Sequence, residues 1–432
     1  MPLTVVTPIV LLFLILGSGA WVGLGLMGVG ISSLALFRSI PVDKVLGQAV
    51  WNGLASPELV ALPLFILMAE LLFRSRFVDG LFRAIEPWVR NLPGGLLHTN
   101  VLGCTFFALI SGSSAATTSA VGKITYGELT RRGYDKRAAM GSLAGAGTLG
   151  FLIPPSVIMI IYGVLSQTSV LKLFAAGIVP GLMLCLMFMG WLVVRALIVR
   201  DTPHAERADS RGLWVERFTG LRSLAPFLVL MGVLLGSMYG GLASPSEAAA
   251  LAVVTTMGIM AVEGTLTLRA VIDSCIGTAR VASMLGLIIA AASFLSTAMG
   301  FLGLPQAIAG QIQSLNLSPL GLIALLLVIY IILGCFLEGM SLIVMTLPIA
   351  LPLVTAAGYD KVWFGIFLII AVEMAQITPP VGMNLFVVQG LTGESLATIT
   401  RAVVPFFLIM VAMVFLLAGF PAIVDWLPGM IN

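Results

Sequence analysis

Apolar residues run in long stretches along almost the whole chain, and polar residues fall in short clusters between them. Val5–Leu16, Leu59–Phe73, Phe227–Met238, Leu320–Leu333 and Pro405–Phe420 each merge into further apolar sequence. A helix needs about 17–25 apolar residues to cross a hydrocarbon layer ~30 Å thick. Inside that layer the helix itself must satisfy its backbone N–H and C=O groups. The pattern therefore predicts an all-α polytopic membrane protein. Helices are expected at about 4–17 and 19–36, followed by an outside loop and a helix at 57–73. An amphipathic arm follows at 74–93, then a hairpin at about 94–127, an interrupted helix at 139–165 and a helix at 172–198. Met1–Leu16 has no basic leader and no small-residue cleavage site, so it is expected to stay as the first helix.

Composition supports this reading. Of 432 residues, 59% are hydrophobic and only 9% charged, where a soluble domain carries roughly a quarter. The 47 glycines and 22 prolines predict interrupted spans, which lipid tolerates where the loosened backbone lines a cavity. Cys104, Cys185, Cys275 and Cys335 all sit in apolar segments and are expected to behave as small buried hydrophobes.

Comparing the chain with itself reveals a duplication. Gly133-Tyr134-Asp135-Lys136 returns as Gly358-Tyr359-Asp360-Lys361, Pro154-Pro155 as Pro379-Pro380, and Pro180 as Pro405, each 225 positions later. Slightly upstream, Ser111-Gly112-Ser113-Ser114 pairs with Glu338-Gly339-Met340-Ser341 at 227 positions, which a two-residue indel explains. Chance matches between apolar stretches rarely keep a Pro-Pro pair in register. The copies span 1–199 and 223–432, with a polar cytoplasmic connector at 200–222. Six arginines in the stretch Arg195–Arg222 make a lipid-headgroup or partner contact the alternative to a solvated connector.

Charge separates the two copies. Arg74, Arg76, Arg83 and Arg90 lie on the first arm, whereas its counterpart at about 296–315 carries no charge. Lys123, Arg131, Arg132, Lys136 and Arg137 crowd one loop, and the counterpart loop holds only Lys361. Lysine and arginine concentrate on the cytoplasmic side, so equivalent segments face opposite sides and the repeats are inverted. In that topology every one of the 22 Lys and Arg residues except Arg38, Lys44, Lys172 and Lys361 is cytoplasmic.

Two kinds of segment could carry chemistry. The tip Ser111-Gly112-Ser113-Ser114 lies midway between apolar arms of about 15 residues, which at ~1.5 Å per residue reach the midplane and return. Its hydroxyls and carbonyls are hard oxygen ligands for a small cation or donors to a carboxylate; close helix packing by small residues is the alternative. In Gly145–Ser156, three glycines and two prolines are expected to break a helix. A half-helix N-terminus then faces an anion while loose carbonyls hold Na⁺; a plain proline kink is the alternative. Glu338-Gly339-Met340-Ser341 and Glu373–Asn384 repeat the tip and the break, pointing to one shared central site. Glu338 and Glu373 have no acidic counterpart in the first copy. As intramembrane acids they are expected to bias a cation site, take up a proton or serve as structural carboxylates.

Signatures of other classes are missing. His98 and His204 are the only histidines and form no His-Glu-x-x-His site. Gly122-Lys123 lacks the glycine a phosphate loop needs, and Tyr134-Asp135 has no Gly-x-Gly-Asp partner for an intramembrane aspartyl protease. No enzyme, organic cofactor or nucleic-acid partner is expected. A passive channel fits poorly, because paired re-entrant tips favour occlusion.

At these residues the chain resembles the large membrane subunit of tripartite ATP-independent periplasmic (TRAP) transporters, the DctM-like family. The resemblance covers essentially the whole chain and is carried by Ser111–Ala115, Gly147-Thr148-Leu149-Gly150, Ile153-Pro154-Pro155-Ser156, Ser244–Ala250 and Thr378–Gly382. It implies an elevator-type fold of the ion-transporter superfamily, with scaffold helices in 1–73 and a mobile part holding the hairpins and broken helices. It also implies multi-pass insertion in the bacterial inner membrane and Na⁺-coupled uptake of a small organic anion, such as a C4-dicarboxylate, another carboxylate or sialic acid. A periplasmic binding protein would deliver the substrate, and a separate small four-helix membrane subunit would dock on the scaffold. By similarity one Na⁺ site uses Ser111, Ser114, Gly150, Ile153 and Ser156, and the other Gly339, Ser341, Ala375, Thr378 and Val381. Ala375 stands where relatives commonly have glycine. Ser113, Thr117 and Asn384 are the expected substrate contacts. A stand-alone Na⁺ or H⁺ carboxylate symporter is the alternative within transport, and an intramembrane enzyme the remote one.

Overall fold

The computed structural model describes residues 3–17, 21–75, 77–199, 210–304, 306–307, 310, 317–337 and 339–431, and among these it is helical with no strand. The first half contains α1 (Leu3–Gly17), α2 (Val22–Phe37), α3 (Val42–Leu54), a 3-10 turn (Pro57–Val60) and α4 (Ala61–Leu72). It continues with α5 (Phe77–Val89), α6 (Leu97–Ser111), α7 (Ser114–Arg131), α8 (Lys136–Gly147), α9 (Leu149–Leu152), α10 (Val157–Ser166) and α11 (Val170–Val199). The second half contains α12 (Ser210–Tyr239), α13 (Pro245–Val262), α14 (Leu268–Leu302), α15 (Pro319–Gly334) and α16 (Gly339–Ala356). It closes with α17 (Lys361–Gln376), α18 (Met383–Thr392), α19 (Leu396–Gly419) and α20 (Ala422–Asp425). Among the described residues six helices are long and apolar enough to cross a membrane, or up to eight if two bent pairs count as spans. The bent pairs are α3–α4, at 60°, and α8–α10, at 41°.

The recurring Gly-Tyr-Asp-Lys is two caps in succession. Gly133 and Gly358 adopt φ of +80° and +93°, conformations that favour glycine. The N–H groups of Tyr134 and Tyr359 donate back to Leu129 and Val354 at 3.0 and 3.2 Å, closing the preceding helix. Asp135 and Asp360 then cap the next one, accepting from Ala138 and Val362 N–H at 3.0 and 2.6 Å. Ser244-Pro245-Ser246-Glu247 is likewise a cap. Ser244 and Glu247 form a capping box, and the Ser246 hydroxyl donates to the Pro57 carbonyl at 3.0 Å, tying α13 to the α3–α4 bend.

Four expectations need correction. Cys275, expected to be a small buried hydrophobe, is exposed, and Cys335 is half-buried. The outside loop before residue 57 contains α3, whose polar Asp43, Lys44, Gln48 and Asn52 dilute the apolar signal. The connector at 200–222 is already helical from Ser210, and 200–209 lie outside the described residues. The tip pairing also shifts. α7 and α16 both have 18 residues and begin 225 positions apart, so Ser114 matches Gly339 instead of Ser341. The extra residues belong to the turn after α15, because a turn absorbs an insertion without rotating a buried helix face.

Two packing groups emerge, each drawn from both halves. α14 lies along α2, α3 and α4, α13 along α4, and α12 along α5 and α13. In the other group α8 packs on α6, α7 and α19, α18 on α7, and α17 on α11, α15 and α16. The second group holds the densest part of the molecule: residues 138–163 and 363–377 are buried without exception. A broken helix fully surrounded by protein can leave backbone groups unpaired by helix, because other segments are there to meet them.

Candidate functional site

The first tip is built to press against the first break. Gly112, at φ +54°, turns the chain between α6 and α7; a Cβ there would meet Val157 N at 3.2 Å and the Pro155 carbonyl at 3.3 Å. Ser113 caps α7, its hydroxyl accepting from Ala116 N–H at 3.5 Å. Ser111 and Thr117 share a hydroxyl–hydroxyl bond of 2.7 Å. The Ser114 O–H faces the Gly147 carbonyl at 3.1 Å and Asn384 Oδ1 at 3.2 Å. Asn384 Nδ2 donates to Ser114 Oγ at 2.8 Å and to the Ala144 carbonyl at 3.3 Å. α18 of the second half thereby clamps the first tip onto α8.

The helix gives way in two steps around Gly145, Gly147 and Gly150. α8 ends at Gly147, and Thr148 is a turn whose N–H donates to the Gly145 carbonyl at 3.2 Å. The short α9 then runs to Leu152 before the chain opens at Ile153–Ser156, around a cis Pro154–Pro155 bond. The glycines are there for close approach. A Cβ on Gly150 would meet the Ser113 carbonyl oxygen at 2.7 Å and Ser114 Cα at 2.8 Å, and one on Gly147 would collide with the Thr118 hydroxyl.

The second break runs from the end of α17 to the start of α18, around a cis Pro379–Pro380 bond. Thr378 Oγ1 donates to the Met374 carbonyl at 2.6 Å, and Gly382 N–H donates to the Thr378 carbonyl at 3.0 Å. At the start of α16 a Cβ on Gly339 would meet Val372 Cγ1 at 2.6 Å and Gln376 Nε2 at 3.0 Å. Ala375 is buried with its methyl facing Gly334, and Ser341 is buried in the first turn of α16. Pro379, Pro380 and Val381 are exposed, and Thr378 is half-buried. Glu338 lies outside the described residues.

Two of the hydrogen-bonded links that cross between the halves tie the tips and breaks together. One is Asn384 to the first tip. The other is Glu373, fully buried in α17, whose Oε1 accepts from Phe151 N–H at 3.2 Å. Among the described residues its Oε2 makes no hydrogen bond of good geometry. Phe151 also lies 3.7 Å from the Cβ position of Gly339, so the second tip and the first break meet there.

The geometry sorts the expected site residues. Ser111, Ser114 and Gly150 come together, with Ile153 and Ser156 at the adjoining break; all five are buried. The Ser156 hydroxyl has no partner, a costly state for a buried polar group that a cation would relieve. Ser114 Oγ accepts from Asn384 and keeps its second lone pair. Among the described residues no group of three or more His, Cys, Asp or Glu could hold a metal, so the oxygens here are hydroxyls and carbonyls. Thr117 and Asn384 are fully buried and hydrogen-bonded, whereas Ser113 remains partly exposed. Sequence reasoning missed Gln376 and Thr118. Gln376 is a polar residue inside an apolar run, a signal that was readable; Thr118 and the Phe151 amide gave none.

A cavity of about 650 Å³ lies between the two packing groups. Asn52, Ser56, Glu58 and Ser296 line one side, and Gln167 and Pro348 the other. It touches neither break.

A family model described as the DctM component of tripartite ATP-independent periplasmic transporters matches residues 9–423. The C4-dicarboxylate TRAP transporter large permease protein DctM of Pseudomonas aeruginosa is 34% identical over 86% of this chain and 86% of its own length. The isethionate TRAP transporter permease protein DctMQ of Oleidesulfovibrio alaskensis is 31% identical over 99% of this chain but only 66% of its own. Among solved structures, the Alcanivorax borkumensis YdaH transporter superposes with a TM-score of 0.64 at 15% identity, covering 98% of this chain and 99% of that one, a likeness of fold alone. The chain belongs to the DctM family of TRAP transporter large permeases and is a multi-pass membrane protein.

Proposed function

We propose that this protein is the large transmembrane subunit of a Na⁺-coupled transporter in the bacterial inner membrane, taking up a small organic anion. C4-dicarboxylates, other carboxylates and sialic-acid-type solutes are the substrate class. A periplasmic binding protein delivers the solute, and a separate small four-helix membrane subunit sits against the group formed by α1–α5 and α12–α14. The longer isethionate relative, two thirds of which this chain covers, supports a second membrane part.

The observation that carries this reading is the convergence of both tips and both breaks through Asn384 and Glu373. Ser111, Ser114, Gly150, Ile153 and Ser156 form the first Na⁺ site. Gly339, Ser341, Ala375, Thr378 and Val381 form the second. Ser113 touches substrate, and Thr117 and Asn384 hold the tip that presents it. Na⁺ binding at the first break satisfies Ser156, stiffens the tip and completes the anion's seat, so solute and ion bind together. The packing group of α6–α11 and α15–α19 then slides against the other, and the cavity between them gives it room.

Proteoliposome uptake tests this. An inward Na⁺ gradient with the binding protein present should drive accumulation, and its collapse should abolish it. Uptake that ignores Na⁺ would remove the ion sites; equal uptake without the binding protein would establish a stand-alone symporter.

A further inference from the structure

Away from both breaks, a groove of about 480 Å³ opens where α8, α11 and α19 meet. Three arginines line it, one from each helix: Arg137, Arg195 and Arg401. Its only acid is Asp135, and that carboxylate is engaged. Asp135 Oδ2 accepts from Ala138 N–H at 3.0 Å and from Arg195 at 2.7 Å. Nearby Lys136 is matched by Glu394 at 3.8 Å. Arg137 and Arg401 are exposed and make no ion pair among the described residues. Among the described residues, then, the groove keeps two positive charges with no acidic partner.

The remaining walls are apolar. Trp191, Leu192, Val199, Pro405 and Phe406 line the groove. Along the same helices Leu186, Val194, Leu197 and Leu408 are 46–66% exposed, which continues the apolar wall beyond the groove. Arginines at the basic ends of membrane helices, an interfacial tryptophan and an apolar track below them fit a phosphate headgroup with acyl chains, not a small soluble anion.

We propose that this groove binds an anionic phospholipid of the cytoplasmic leaflet, its phosphate held by Arg137 and Arg401 and its chains lying along α11 and α19. The site belongs wholly to the group that carries both breaks. A bound lipid anchors that group to the headgroup layer. The proposal does not depend on the ion or the substrate.

Native mass spectrometry of the purified full chain, titrated with phosphatidylglycerol and with phosphatidylcholine, tests it. Phosphatidylglycerol should be retained and phosphatidylcholine not. R137Q/R401Q should weaken retention by about 25-fold, on the order of fivefold per arginine. Arg269→Gln, at an exposed arginine of the other group, should change nothing. Should the double variant fail to insert, R137Q and R401Q singly, at about fivefold each, give the same reading. Equal retention of the two lipids, unchanged retention in the variants, or displacement by millimolar inorganic phosphate would each overturn it. Uptake plays no part in this readout, so a failed transport assay leaves it intact.

Discussion

The two breaks carry the same Pro-Pro pair, in the same cis form, at equivalent places, yet their surroundings differ. The first is enclosed: every residue from Phe151 to Ile160 is buried, the tip presses on it at Gly112 and Gly150, and Asn384 and Glu373 hold it from the other half. The second is open along Pro379–Val381, and its threonine bonds its own helix. A duplicated sequence has thus produced one assembled oxygen site and one that closes on itself. If both hold Na⁺ as proposed, the first has its oxygens already fixed by neighbouring elements, whereas the second is held only by its own helix and lies beside exposed chain. Preorganisation of this kind lowers the cost of binding.

The sharpest way to break this contrast is steric. Gly150→Ala places a Cβ on the Ser113 and Ser114 backbone, which cannot rotate away as a side chain end can. Forcing the tip off the break should cost about 2–3 kcal/mol, on the order of 100-fold in Na⁺-driven uptake, with membrane insertion preserved. Gly382→Ala approaches backbone just as closely, with Cβ contacts of 2.8 and 2.9 Å. The exposed Pro379–Val381 segment that carries Gly382 can shift away from the Gln376 and Thr378 carbonyls, so its loss should be about tenfold. Equal losses in the two variants would erase the distinction.

Ser156→Ala asks whether the unpartnered hydroxyl belongs to an ion. The half-saturating Na⁺ concentration should rise by about tenfold, while thermal stability stays level or improves, because an unsatisfied buried group has been removed. A stability gain with unchanged Na⁺ dependence would make Ser156 a structural defect and empty the first site. Thr378→Val should act more weakly, raising half-saturation about threefold, since the threonine is half-buried beside the exposed Pro379–Val381 and water can replace its hydroxyl at an ion.

How far these features could be read from sequence follows from which forces are local. Schellman turns and N-caps are set by a few adjacent residues, so two helix boundaries per half were legible in Gly-Tyr-Asp-Lys, although the motif was used only to find the duplication. Apolar run length gave the spans, and it failed at α3, where burial against α14 supports a helix that hydropathy does not. The three glycines before Pro154 were legible in part. Propensity marks glycine as a helix breaker, and α8 does end at Gly147, but tertiary contact also uses Gly147 and Gly150 to admit the tip. The link from Glu373 to the Phe151 amide was beyond reach, because it joins a side chain to a backbone group 222 residues away.

That link supports the smallest and most discriminating test. Glu373→Gln keeps an acceptor for the Phe151 N–H and replaces Oε2 with an NH₂ group; Glu373→Ala removes that acceptor and leaves the Phe151 N–H with only its 3.3 Å bond to the Thr148 carbonyl. If Glu373 serves to tie the enclosed break to α17, the alanine variant should lose about 1–3 kcal/mol of stability. The glutamine variant should melt near the parent and transport within about twofold of it. Thermal melting and uptake measured on the same preparations separate the cases. A glutamine variant that melts normally but no longer transports would show that the carboxylate moves charge or a proton, and the tie between the halves would then be part of the coupling machinery instead of its frame.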